Sequence, residues 1–286
     1  MTEKHIEDSS APLIDHLVEL RSRLIWCIVA FVVAMMACFA IAQPIYEFLA
    51  RPLENALINH GHDPKIIFTG PHKLFFTYIS VSMFGGFFVA FPIIASQVWR
   101  FIAPGLYKSE QRAFLPFLIA TPVLFLIGAA FAYYGAMPLA LDFFLSFETK
   151  PDPNGGGLHI EYLGTADEYF GLTMKFILAF GICFQLPVAL TLMAKADLIG
   201  PEFLVENRKY AIVILLIVSA LVTPPDVFSM MLLFSVVYSL YEISILLVRQ
   251  VERKRQADLR AAGLADDEDE DEGAAAAGVP AKGAPQ

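Results

Sequence analysis

Charged side chains are scarce in this chain of 286 residues: Asp, Glu, Lys and Arg make up 17% of it, against about a quarter in an ordinary soluble domain. That shortage excludes a single solvated globule, because 57% of the residues are hydrophobic. Cysteine is also rare. Cys27, Cys38 and Cys183 all lie inside apolar runs, which excludes a disulfide framework and gives no metal-ligand spacing. Glycine-rich phosphate loops and internal repeats are missing. The histidines, at 5, 16, 60, 62, 72 and 159, fall in loops or at the borders of apolar runs, so no Ser/His or metal constellation for hydrolysis stands at membrane depth.

What is present is apolar sequence gathered into runs of membrane-spanning length, which for a helix is about 20 residues. Six spans are expected, at about 24–43, 73–98, 113–136, 169–194, 210–223 and 227–248. Each is helical, since lipid offers the backbone no hydrogen-bond partner. The fifth run, "YAIVILLIVSALVT", has 14 residues, and only "PPD" separates it from the sixth. The last two spans are therefore expected to form a short, shallow hairpin. Pro92, Pro116, Pro122, Pro138, Pro187, Pro224 and Pro225 stand inside or beside the runs, and bends there favour a curved, cup-like wall. The first run is long and lacks a cleavage site, so it reads as a retained helix.

Lys and Arg set the orientation. The N-terminal segment, the loops between spans two and three and between four and five, and the segment after span six hold 14 of them, and the alternate loops hold Arg51, Lys65, Lys73 and Lys150. The positive-inside rule then puts both termini in the cytoplasm. The net charge of −9 comes largely from "DDEDEDE" at 266–272, since residues 1–260 carry 19 basic and 22 acidic side chains. The expected organisation is a cytoplasmic amphipathic N-terminus (1–23), a six-span all-α membrane domain (24–248), and a cytoplasmic tail (249–286), first basic and then acidic and disordered.

On a helix, "LIDHLVELRSRL" places Leu13, Leu17, Leu20 and Leu24 on one face and Asp15, Glu19 and Arg23 opposite. Glu19 and Arg23 are i,i+4 neighbours, and Arg21 points away. Alone, this reads as an interfacial lead-in with a weak surface pair. The first cytoplasmic loop, "QVWRFIAPGLYKSEQR", carries a second carboxylate, Glu110, among Arg100, Lys108 and Arg112. Alone, that too reads as a solvated loop charge. The topology puts both carboxylates on one membrane face, where each could receive a guanidinium in a planar two-bond pair.

Five stretches in order, "HLVELRSRL", "QVWRFIAPGLYKSE", "GAAFAYYGAMPLA", "AFGICFQLPVAL" and "LVTPPDVFS", resemble the TatC family, the multispanning subunit of the twin-arginine protein translocase. The resemblance implies a receptor in a bacterial inner membrane, not an enzyme, and no cofactor. Such a receptor reads the paired arginines of export signal peptides at the cytoplasmic face. It assembles into a multimeric complex with single-span TatA/TatB-type subunits, and folded cargo crosses on the proton motive force. By motif position, Glu19 and Glu110 match the carboxylates that receive the arginines, and Arg21, Phe101, Pro104 and Tyr107 match the surrounding site.

Three polar residues remain. Gln185 sits mid-span in "FQLP", where many family members carry glutamate; an amide exchanges no proton near neutral pH, so it reads either as an interhelical hydrogen bond or as a polar contact for a partner helix. Glu242, in "YEIS", lies about two turns inside the end of span six. It is expected to snorkel or pair with Arg249, or to hold a partner helix. Asp226, in "TPPDVF", is expected to cap the sixth helix. The rival reading is a small-solute secondary transporter, for which no inverted repeat or midplane charge cluster is visible.

Overall fold

The computed structural model describes residues 4–102, 115–148 and 162–261. Among them the protein is all-helical apart from one isolated bridge, Ile67 to Thr165. The order is α1 (Lys4–Ala40), α2 (Ala42–Asn59), α3 (Pro71–Ile102), α4 (Leu115–Phe131), a π-helical turn (Ala132–Ala136), α5 (Met137–Leu145), α6 (Ala166–Cys183), α7 (Leu186–Lys195), α8 (Pro201–Glu206), α9 (Arg208–Val222) and α10 (Val227–Ala261). Five stretches are long and apolar enough to cross a membrane: Leu17–Ala40, Pro71–Phe101, Phe117–Leu145, Ala166–Lys195 and Val227–Ala257.

The expected fifth span is α9, whose 15 residues rise about 22 Å, short of ~30 Å of hydrocarbon. By itself α9 does not meet the length of a crossing. Only that member of the expected hairpin is short. α10 runs 35 residues, well past the expected end at 248. The basic segment after Val248 continues the helix, because Lys, Arg, Gln and Glu are good helix formers. Gln256 donates to Glu252 one turn back, and Arg255 pairs with Asp197 after α7. The basic part of the expected tail thus continues α10 as far as Ala261.

The third span is also longer than the expected 113–136. Pro138 has no N–H to offer the Tyr134 carbonyl, and the turn before it widens so that the Met137 N–H reaches Ala132. The helix passes through this π turn and on to Leu145. In the fourth span, Pro187 contributes to a break at Phe184–Gln185 that divides α6 from α7.

An additional helix, α2, fills what read as a loop. Its buried positions, Ala42, Leu49, Pro52, Leu53, Ala56 and Leu57, form one stripe, with Glu47, Arg51 and Glu54 outside it. Pro52 leaves the Phe48 carbonyl without its usual donor, and the Tyr133 hydroxyl donates to that oxygen at 2.5 Å. Tyr169 donates to the neighbouring Leu49 carbonyl at 2.8 Å. Two tyrosines from the long helices thus pin α2 beside Pro52, each bond contributing about 1 kcal/mol.

Glycine permits the closest helix crossings. A Cβ on Gly86 would stand 2.6 Å from the Met35 Cα, and one on Gly128 would stand 2.7 Å from the Phe180 carbonyl oxygen. These positions let α3 lie on α1 and α4 on α6 backbone to backbone, the small-residue packing of membrane helices. The core around them is aromatic, with Phe125, Phe170, Phe176 and Phe180 fully buried. At the α2 end of the bundle, His62 pairs with Glu148 at 2.7 Å, and Glu148 also accepts from the Tyr162 N–H at 2.7 Å. Burial, with Glu168 adding to it, raises the Tyr162 hydroxyl above its ordinary pKa.

Candidate functional site

The Glu19 side chain is half-buried on α1. The Arg23 guanidinium lies over it, with Nε donating to Oε1 at 3.1 Å, and Arg21 is exposed. The helical phase expected from the sequence is therefore the phase observed. Packing gives the carboxylate its neighbourhood. Met35 meets Gly86, and Cys38 meets Gly85, so the contact moves back along α3 as it moves forward along α1. The helices are antiparallel, and equal rises from the Met35–Gly86 contact put Glu19 about level with Ile102. Phe101, half-buried, is at that level. Pro104, Tyr107 and Glu110 lie outside the described residues. α3 ends at Ile102, on the level of the Glu19 turn.

A second polar group joins three helices. The Trp99 Nε1–H on α3 donates to Thr121 Oγ1 on α4 at 2.8 Å, and that hydroxyl donates to the Phe117 carbonyl at 2.8 Å. Gln185 Nε2 donates to the Thr121 carbonyl at 3.0 Å and lies 3.5 Å from the Gly181 carbonyl. The second contact follows from the α6–α7 break. The Gln185 backbone N–H turns to Ile182, so Gly181 loses its i+4 donor and the side chain of the same residue replaces it. Gln185 Oε1 is buried with no partner among the described residues. Of the two expected readings, the interhelical hydrogen bond is present. Trp99, expected only as an interface aromatic, is part of the same knot.

Glu242 does not pair with Arg249. It accepts from Arg208 at 2.7 Å and from the Tyr238 hydroxyl at 2.9 Å. The reason is packing: α9 lies against α10, and its first residue meets the Glu242 face, whereas Arg249 turns to a cleft of about 210 Å³ beside Glu202 and Glu206. Arg208 Nε is buried and unpartnered. Asp226 caps α10 as expected, its Oδ1 accepting from the Ser229 N–H at 2.6 Å. Among the described residues no group of three or more His, Cys, Asp or Glu side chains could hold a metal ion.

These sites are distinct. Glu19 and Phe101 share one end of the α1–α3 pair, the Gln185 knot joins α3, α4 and α6, and Glu242 joins α9 to α10. Gln185 and Glu242 are helix-to-helix attachments, whereas the Glu19–Arg23 pair lies within one helix.

Comparison with known proteins identifies the family. The family described as Sec-independent protein translocase protein (TatC) matches residues 15–235. The TatC of Magnetococcus marinus is 45% identical over 248 residues, covering 87% of this chain and 88% of that one. The TatC of Escherichia coli K12 is 37% identical, covering 85% and 90%. A solved structure described as the twin arginine translocase receptor TatC superposes with a TM-score of 0.69 at 38% identity, over 83% of this chain and 99% of that one. With a match of this extent and several helices long enough to cross a membrane, the chain belongs to the TatC family, multi-pass membrane components of the Sec-independent protein translocase.

Proposed function

We propose that this protein is the receptor of its translocase, binding the two arginines of an export signal peptide between Glu19 and Glu110. Arg21, Phe101, Pro104 and Tyr107 form the surround of that site at the cytoplasmic face of a bacterial inner membrane. The observation that carries the reading is the state of Glu19. It holds a guanidinium already, from Arg23 on its own helix, and stands level with the C-terminal end of α3. A pair four residues apart on a helix surface contributes only a few tenths of a kcal/mol. An incoming arginine making a planar two-bond contact displaces it at little cost. The solved relative described as a receptor supports the same role.

Around this site we place six spans in a cup, with both termini cytoplasmic and α9 sheltered among its neighbours. Single-span TatA/TatB-type subunits dock along α9 and α10, where Glu242 adheres to a partner helix, and Asp226 keeps the start of α10 in register. The multimeric complex moves folded cargo on the proton motive force. Gln185 belongs to the bundle and relays no proton, since its amide holds backbone carbonyls on two helices.

The test is photocrosslinking from positions 19 and 110 to a signal peptide with and without its two arginines. Crosslinks from both positions, lost when the arginines become lysines, are expected. Crosslinking at full yield to the lysine peptide would refute the two-carboxylate site.

A further inference from the structure

Trp99 and Phe101 lie in the last turn of α3, about 200° apart around its axis. The Trp99 Nε1–H meets Thr121 on α4 at 2.8 Å, so Phe101 is turned away from α4, at the level of Glu19. Further back, Phe91 stacks on Phe125 of α4 at 3.8 Å. Pro92 stands between these two ties. It has no N–H for the Phe88 carbonyl, and a helix bends most readily at such a gap. The Phe91 stack therefore holds α3 before the gap, and Trp99 holds the part beyond it that ends at Ile102.

The post to which Trp99 is tied is itself held from behind. Thr121 gives its one hydroxyl proton to the Phe117 carbonyl at 2.8 Å, so toward the indole its oxygen can only accept. The Gln185 amide holds the Thr121 carbonyl at 3.0 Å, and the Lys195 ammonium stands 5.6 Å from the centre of the Phe117 ring. Both come from the α6–α7 side of the bundle. The start of α4 is thus fixed on that side and offers α3 one oriented acceptor on the other.

We propose that Trp99 is a positioning residue for signal-peptide recognition. Its hydrogen bond to Thr121 sets the end of α3, and so presents Phe101 to the peptide at the level of Glu19. The role rests on the receptor reading above. The indole acts through the helix, without touching the peptide. A hydrogen bond of ordinary strength corresponds to about a fivefold change in the balance between the set arrangement and others, and peptide affinity follows the fraction that is set.

The test uses the full chain in neutral detergent and a fluorescent export signal peptide, with its two arginines or with lysines in their place. Trp99→Phe keeps an aromatic ring and removes the donor, Thr121→Val keeps the shape and removes the acceptor, and Thr121→Ser keeps the acceptor. Each of the first two is expected to weaken binding of the arginine peptide about three- to fivefold, and the double variant no more than either alone. Thr121→Ser should bind like the wild type. A photoreactive phenylalanine at position 101 reads the geometry itself: at saturating peptide its crosslinking yield should fall severalfold with Thr121→Val and return with Thr121→Ser. Wild-type affinity and yield in Trp99→Phe and Thr121→Val, with the arginine peptide still preferred, would overturn the role of Trp99 and leave the receptor standing. Additive losses in the double variant, or an equal loss in Thr121→Ser, would also overturn it, by tracing the effect to packing. Equal binding of the two peptides by the wild type would instead overturn the receptor reading, and the role of Trp99 with it.

Discussion

Two carboxylate–guanidinium pairs in this molecule share their chemistry and differ in construction. Glu19 and Arg23 are four residues apart on one helix, whereas Glu242 and Arg208 are 34 apart and join α10 to α9, with Tyr238 as a third member. Losing the first moves no backbone. Losing the second detaches the end of a short helix and leaves Arg208 with a buried Nε and no carboxylate. A local pair is exchangeable and suits recognition, whereas a pair across helices is a fastening.

The largest effect that would sharpen this contrast is on peptide binding. Glu19→Lys replaces an acceptor with a like charge facing an incoming arginine. Signal-peptide affinity is expected to fall about thirtyfold or more, as when one member of a hydrogen-bonded charge pair is removed. The melting temperature in detergent should stay within a degree or two. A variant that binds peptide normally would place recognition elsewhere.

Next in size is the fastening itself. Glu242→Ala is expected to lower stability by about 1–2 kcal/mol, less than for a fully buried pair because both side chains are about one-third exposed or more. It should also reduce co-purification of single-span subunits more than it reduces peptide binding. The double variant with Arg208→Gln should recover part of the lost stability, since no charge is then stranded. Equal losses in single and double variants would mean that the two residues act independently.

The sequence made the long helices readable because uninterrupted apolar runs have one stable form in lipid. α2 escaped because charges and Pro52 interrupt it, although its stripe at 42, 49, 53, 56 and 57 has helical spacing. The Glu19–Arg23 pair was legible since helical phase alone determines it. Arg208 as the partner of Glu242 was not, because that choice depends on which helix packs against α10. Gln185 stood out as a polar residue in an apolar run, but its attachment to Thr121 depends on the α4–α6 crossing at Gly128.

Gln185→Leu tests that attachment and ranks third. It removes the donor that serves the Thr121 and Gly181 carbonyls, and it also removes the unpartnered Oε1, so the two effects partly offset. A loss of about 0.5–1.5 kcal/mol is expected, the range for hydrogen bonds between membrane helices. Denaturant titration in mixed micelles would read it. Transport activity unchanged at matched protein levels would agree with a packing role, whereas complete loss of transport in a stable variant would give the amide a direct one.

The smallest effect would break the comparison if it came out large. Arg23→Gln removes the i,i+4 partner of the partly exposed Glu19 carboxylate. An i,i+4 pair contributes about 0.3–0.5 kcal/mol, so stability should change by no more than that. Peptide affinity should rise, because an incoming arginine no longer has to displace a resident one. The expected gain is about twofold, the same free energy expressed as a binding constant. Its sign matters more than its size. If Arg23→Gln instead weakened binding, Arg23 would be shown to orient Glu19 for the peptide, and the local pair would be as structural as the one between α9 and α10.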